Sequence, residues 1–450
     1  MGTFSIKQGK DIHLKGAAKK AVVEASFPKH VALQPPDFKG LNLRLAVKVD
    51  DKVKVGTTVF SDKANPQIRI ASPASGKVIA INRGPRRALL SVVVETDGRQ
   101  DAEVFPSFSE EQIRNLSSDD VIRFLLRGHL WPVIRQRPFS KVADPKQKPK
   151  AVFIHAMNTE PLALDIDFIF KNKEREFQIG LTILKRLTGG DLHLCVQGGS
   201  EAKALTQAKG VQVHSFSGPH PAGNVSTHIH CVDPINKGDL VWYVEAQDVL
   251  RVAPLFLKGI YPVERIVAVT GEGAAGHQVY AQTIIGAPLS VLLEGEIDGP
   301  MRYLSGSILA GKDVGAHGFL RFYDTQVTIL PEGGKRELLG WISPGVNKYT
   351  FSKTFVSAFL PEREASLDSD RHGSDRAIVL NNIYDAFVPL DIMTYFLLRA
   401  VLSGNIEEAE DLGILECDEE DFALCTFACP SKTDVGGIIS QGLALIEEES

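Results

Sequence analysis

The spacing of apolar residues changes character several times along the chain. Up to about residue 105 it is period two, as in residues 41–49 (LNLRLAVKV). That alternation predicts half-buried strands. Asp50-Asp51, Gly56 and Ser72-Pro73-Ala74-Ser75-Gly76 punctuate it as turns. Residues 106–150 form a helical and basic connector. Ser109-Glu110-Glu111-Gln112 and Ser117-Ser118-Asp119-Asp120 place acids where a helix begins and its dipole is positive. Val121, Phe124 and Leu125 make one apolar face, and Gly128 ends that helix. The basic, proline-rich run that follows carries Trp131, Arg135, Arg137 and Phe139. Flat apolar groups beside cations suit a planar ligand or an acidic partner, or a linker packed over the next domain.

Residues 151–262 alternate strand and helix. AVFIHA (151–156) reads as a strand; Phe177, Leu181, Leu184 and Leu187 have helical spacing, stopped by Gly189-Gly190. Strands at 192–196 and 211–216 flank a short helix at 201–209, giving a βαβαβ unit with a parallel sheet and right-handed crossovers. A strand at 240–245 and a helix at 248–257 complete the unit. Residues 214–244 (HSFSGPHPAGNVSTHIHCVDPINKGDLVWYV) hold four of the twelve histidines. They begin where the third strand ends, the edge at which open α/β sheets bind ligands. Read as a strand, this passage puts His228 and His230 on one face, and Cys231 and Asp233 on the other. Zinc needs three or four converging ligands, so the histidines read as a hydrogen-bonded pair.

Residues 263–330 contain Gly271-Glu272-Gly273-Ala274-Ala275-Gly276, a literal G-x-G-x-x-G. A dinucleotide loop must open a crossover helix. HQVYAQTIIGAP follows instead, too short before Gly286, and Asp298 sits in a Gly-Pro turn. The glycines read as a turn joining strands, with one short helix at 289–294, in a β-grasp module of the ligand-binding type. Beyond 331, residues 340–355 (GWISPGVNKYTFSKTF) read as strand-rich. A charged loop follows, then helices at 392–402, 406–412 and 436–449. Cys417, Cys425 and Cys429 lack the tight four-thiolate spacing of an iron–sulfur cluster and read as buried or inert thiols.

Composition narrows this picture. A chain of 450 residues holds about three domains at ~150 each. A net charge of −5 gives no case for a nucleic-acid binder. Five cysteines make no disulfide framework and point to a reducing compartment. MGTFSIKQGKDIHLKG has no apolar signal core. The longest apolar run, 387–402, is broken by Pro389, Asp391 and Arg399. The chain is expected not to cross a membrane by itself, but to be able to dock on a membrane complex.

The first 105 residues resemble a biotinyl/lipoyl carrier domain, and Ser61-Asp62-Lys63-Ala64 resembles its acceptor turn. One alternative is therefore a stand-alone carrier component lipoylated on Lys63. The order of the parts resembles the flavin-binding large subunit of respiratory complex I and, more closely, the C subunit of Rnf complexes. GHLWPVIRQRPFSKV, GPHPAGNVSTHIH, HGFLRFYDTQVTIL, LLGWISPGVNKYTF and FALCTFACPSKTDVGG together look like the A subunit of Na+-translocating NADH:quinone oxidoreductases. The resemblance spans essentially the whole chain. It implies an α/β and β multidomain protein: a lipoyl-like barrel-sandwich domain (1–105), the connector, a Rossmann-like domain (151–262), a β-grasp domain (263–330) and a helical C-terminal region (331–450). It also implies a peripheral subunit on the cytoplasmic side of the bacterial inner membrane, in a six-subunit complex that oxidises NADH, reduces ubiquinone and exports Na+. Flavins and the iron–sulfur centre would lie in the five partner subunits. This chain lacks the four-cysteine tail and helix-opening glycine loop of its redox-active relatives, so it is expected to hold no tight cofactor and not to be catalytic alone. Ubiquinone is the expected ligand, with His220, His228 or His230 donating to its carbonyls and Trp131 and Phe139 as flat walls.

Overall fold

The computed structural model describes residues 2–449 except 294–296, 298, 335–338, 341, 362, 380 and 381. Residues 30–96 build a sandwich of two small antiparallel sheets. One contains His30–Leu33, Leu89–Thr96, Gly76–Arg83 and Lys52–Val53; the other contains Leu43–Leu45, Thr58–Asp62 and Arg69–Ala71. Val31, Val59, Phe60, Ile70, Val78, Val92 and Val94 are almost wholly buried in its core, as the period-two pattern requires. Lys63 is exposed in the turn after Thr58–Asp62. That turn is held by Asp62, whose carboxylate accepts the N–H groups of Asn42 (2.9 Å) and Asn65 (2.7 Å).

The second sheet has seven strands, in the order Thr3–Ser5, Gln212–Ser217, Asp191–Gln197, Ala151–Ala156, Val241–Glu245, Arg135–Arg137, Lys141–Val142. The first five run parallel, and Arg135–Arg137 pairs antiparallel with both of its neighbours. Both faces are covered, which is why VFI and VWYV carry no polar alternation. Glu174–Leu184 and Ala246–Lys258 pack together over the face bearing Ile154, Leu194 and Trp242. Val225–Val232 covers the other face, with Phe153, Phe216 and Tyr243. From Ala151–Ala156 the chain steps outward to one side twice, then returns to the other side as Val241–Glu245.

Three sequence expectations change here. The basic segment after Gly128 is not a linker packed over the next domain but part of it: Arg135–Arg137 pairs with Val241–Glu245 and extends the sheet. Residues before the sandwich belong elsewhere, since Thr3–Ser5 edges the α/β sheet and Lys19–Glu24 edges the third sheet. The His228–His230 passage is a helix, Val225–Val232, not a strand. Its β-branched run alternates like a strand, but Val225, Ile229 and Val232 at i, i+4 and i+7 pack on the sheet. Tertiary burial outweighs the weak local preference.

The third sheet is mixed, in the order Lys312–Asp313, Met301–Ser305, Gln326–Pro331, Glu264–Thr270, Val279–Ile284, Lys19–Glu24. The glycine-rich segment is one 3-10 turn, Glu272–Ala274, leading into the antiparallel strand Val279–Ile284. Gly271 has φ +94°, and a Cβ there would lie 2.2 Å from the Ile329 carbonyl oxygen, so only glycine fits. Where a helix was expected at 289–294 there is a single 3-10 turn, Leu289–Val291. Glu294 and Asp298 fall outside the described residues.

Residues 340–355 contain no strand among the described residues. Pro344 and Gly345 (φ +64°) break extension there, and turns take its place. Thr394–Leu402, Ile406–Asp411, Ala423–Ala428 and Val435–Glu449 enclose a separate core of Leu397, Leu398, Ile414, Phe422, Ile439 and Leu443. Cys417, Cys425 and Cys429 are buried in it. Among the described residues no helix is long and apolar enough to cross a membrane.

Candidate functional site

The side chains with the most chemistry converge where the strand connections reverse, at the C-terminal ends of Ala151–Ala156 and Val241–Glu245. His155 and Glu245 are directly paired across these strands. His155 Nδ1 lies 2.7 Å from Glu245 Oε2, and its Nε2 meets the Gly223 carbonyl. Both partners are acceptors, so the ring fits them only as a doubly protonated imidazolium. Burial opposes that charge, but the Glu245 carboxylate and the Gly223 carbonyl outweigh it and hold the pKa above the ordinary value. Burial likewise works against the Glu245 carboxylate, and the charges of His155 and Arg135 keep its pKa low.

Arg135 donates to Glu245 at 3.2 Å and lies between the rings of Tyr243 (4.6 Å) and Tyr323 (4.7 Å). Two residues on, Arg137 is 1% exposed. It meets Glu420 at 2.9 Å and Asp418 at 3.3 Å from the helical region, while Ser140 Oγ donates to Asp418 at 2.7 Å. Asn224, beside the Gly223 carbonyl, donates to Asp421 at 3.0 Å. The helical region thus seals the sheet's reversal point with acids set against buried arginines. Burial pushes the Glu420 carboxyl up to about 7; Asp418 and Asp421 add to this and Arg137 opposes it. Its side chain is nevertheless 39% exposed, and Arg135 and Glu245 are 22% and 24% exposed, so this crevice keeps a polar mouth. It has a cation to polarise a carbonyl oxygen and one partly exposed flat ring, Tyr323, but among the described residues no nucleophile paired with a base. Among the described residues no three His, Cys, Asp or Glu side chains are arranged to hold a metal ion.

The sequence-predicted residues do not form one site. His228 reaches the crevice floor, its ring 5.3 Å from His155 and 4.3 Å from Phe216. Burial and the neighbouring His155 charge hold its pKa well below the ordinary value, and among the described residues its Nε2 meets no hydrogen-bond partner. His220 lies nearby, 3.2 Å from Thr159 Oγ1, and burial lowers its pKa to about 4. His230 points elsewhere, because two positions on a helix differ by about 200°. It pairs with Glu416 at 2.5 Å, and that hydrogen bond raises its pKa. Trp131 is fully buried on the opposite face of the sheet, perpendicular to Trp242, with its N–H on the Ala143 carbonyl at 2.7 Å. Phe139 packs against the helical core under Lys141. Of the rings around Arg135, Tyr243 is buried beneath it and Tyr323 is partly exposed.

Sequence reasoning missed His155, Glu245, Tyr243, Tyr323 and the acids at 418–421. One signal was present: AVFIHA and VWYVE each place an ionisable residue near the C-terminal end of an otherwise apolar parallel strand. The acids had no local signature.

Comparison with known proteins bears on the whole chain. Family models described as the NqrA N-terminal barrel-sandwich hybrid domain, the NqrA second alpha/beta domain and the NQRA C-terminal domain match residues 4–97, 116–261 and 266–316. The A subunit of the Na(+)-translocating NADH-quinone reductase from Yersinia pestis bv. Antiqua (strain Angola) is 40% identical over 450 residues, covering 99% of this chain and 100% of that protein. The same-named proteins of Histophilus somni (strain 129Pt) and Neisseria meningitidis serogroup B are 39% and 37% identical over 448 residues, with the same coverage. Aligned with these proteins from end to end, the chain belongs to the NqrA family, the A subunits of Na+-translocating NADH–quinone reductases.

Proposed function

We propose that this chain is the peripheral A subunit of a complex that oxidises NADH, reduces ubiquinone and exports Na+, seated on its cytoplasmic side. The observation that carries the reading is the end-to-end identity of 37–40% with relatives bearing that name. On this reading the flavins and the iron–sulfur centre belong to the five partner subunits, and this chain serves as a scaffold. The strand order supports a Rossmann-like second domain, to which the connector belongs, and a β-grasp third domain; the exposed Lys63 turn supports a lipoyl-like first domain whose fold is reused without the modification. An intact mass equal to the bare sequence tests that last point.

The same reading brings the ubiquinone head group to the crevice mouth. Arg135 faces a carbonyl oxygen, His155 holds Glu245 and the Gly223 carbonyl beside it, Tyr323 gives a flat edge, and His220 and His228 support the floor. Trp131, Phe139 and His230 play no part in it. The test is purification of the tagged chain from gently solubilised native membranes. Co-elution with membrane subunits and Na+-stimulated NADH:quinone reductase activity is expected; a lone chain without that activity would refute the assignment. Within the active complex, Arg135→Leu is expected to raise KM for a short-chain ubiquinone several-fold while NADH oxidation by an artificial acceptor is unchanged. An unaltered KM would remove the crevice from the quinone path and leave the chain's place in the complex standing.

A further inference from the structure

The hairpin formed by Gly76–Arg83 and Leu89–Thr96 runs on past the sandwich core. Val78 and Val92 are completely buried, whereas none of residues 79–91 between them is. A stretch that contributes so little to the core owes its shape to its own turn. Arg86 (φ +52°) and Arg87 (φ +62°) are both left-handed. Consecutive left-handed residues twist a hairpin back on itself in register with its strands. Arg83 Nη1 donates to the Arg87 carbonyl at 3.0 Å, and Asn82 Nδ2 donates to Ser91 Oγ at 2.9 Å. The tip is built, exposed and basic.

Its charge is uncompensated. From Lys63 to Val94 the chain contains six cations and no Asp or Glu. At the hairpin base Lys77 is met by Asp50 at 2.6 Å. Among the described residues Arg83, Arg86 and Arg87 meet no carboxylate. Leu90, 44% exposed, stands beside them against Gly84.

We propose that this hairpin is a membrane-contact finger: its three arginines bind the phosphate oxygens of anionic lipid headgroups while Leu90 enters the headgroup boundary. Guanidinium groups chelate phosphate oxygens well, and a neighbouring aliphatic adds a desolvated contact that phosphate alone does not provide. A convex tip of this size falls short of the roughly 800 Å² per partner that a stable protein interface buries, so a lipid surface fits it better than an acidic protein. The chain as a whole carries −5 and is repelled by an anionic bilayer, so any attraction must be local. The finger goes beyond the reading of the chain as part of the complex and does not depend on it.

The test is co-sedimentation of the full chain with phosphatidylcholine vesicles, with and without phosphatidylglycerol. Binding is expected only to the anionic vesicles and is expected to weaken as salt rises. Each arginine near an anionic surface contributes about fivefold. The combined variant Arg83→Gln, Arg86→Asn, Arg87→Asn, whose asparagines tolerate left-handed φ, should lose binding by on the order of 100-fold. Leu90→Gln should weaken it by less. Unchanged melting temperatures would show both variants folded. No binding by the intact chain, or equal binding by the triple variant, would overturn the finger. Either result would leave co-elution with the membrane subunits unaffected, so the two readings fail separately.

Discussion

Arg137 shows how a single residue ties distant parts of this protein together. It leaves the edge of the α/β sheet, lies almost wholly out of water, and finds its counter-charges some 280 positions later at Asp418 and Glu420. Removing one side of a buried pair costs more than the pair contributes, because the remaining charges stay desolvated. Arg137→Met is therefore expected to cost about 3 kcal/mol, read as a lower urea midpoint for the helical region. A change below about 0.5 kcal/mol would place the acids in water rather than in the joint. Glu420 adds a pH dependence. Its pKa is about 7 in the folded chain against an ordinary 4.5. Between those values the folded chain keeps a proton that the unfolded chain has released, so stability falls as pH rises through that window. His155, also raised, contributes fully below its ordinary 6.5 and loses that contribution as pH rises through its folded value. Glu420→Gln should raise the urea midpoint above about pH 7 and leave it unchanged below about 4.5. An equal effect at both ends would mean that shape rather than charge is responsible.

At the level of elements, burial decides what local preference leaves open. Val225–Val232 reads as a strand because histidine, threonine and β-branched residues disfavour a helix only slightly and alternate by accident. The sheet face below it needs a cover for Phe153, Phe216 and Tyr243, and a helix presenting Val225 and Ile229 provides one. Ile229, 2% exposed, is the residue on which that choice turns. Ile229→Ala should cost about 3 kcal/mol through the cavity it leaves. The Gly271 turn is settled by backbone geometry instead. Gly271→Ala would drive a methyl group into the Ile329 carbonyl at φ +94°; it should cost about 2 kcal/mol, seen as a lower melting temperature. A neutral result would show that the neighbouring strands shift apart easily.

In the whole molecule, the first 24 residues act as a thread. Thr3–Ser5 adds an edge to the α/β sheet, Leu14 bridges to Ala365 in the charged loop, and Lys19–Glu24 adds an edge to the third sheet. Deleting residues 1–15 should therefore loosen regions far apart in sequence. Limited proteolysis is expected to cut the charged loop around residues 361–376 sooner in the truncated chain than in the intact one. Equal cleavage rates would show that the loop is held without the thread. The same architecture brings Arg135, His155, Glu245 and Glu420 to one crevice from four stretches of chain that share no motif.

Much of the fold was legible in one dimension. Alternation marked the sandwich, 3.6-residue spacing marked Glu174–Leu184, and the missing helix after Gly276 ruled out a dinucleotide loop. Five motifs in order pointed to the family. Those properties depend on neighbours within a few residues or on order along the chain, which sequence records directly. Whether His230 would join His228, whether Trp131 would line a ligand slot or sit behind the sheet, and which acids would face Arg137 depended on which surfaces bury one another. Desolvation and charge pairing act through space, over contacts some 280 residues apart, so only the tertiary structure decided them.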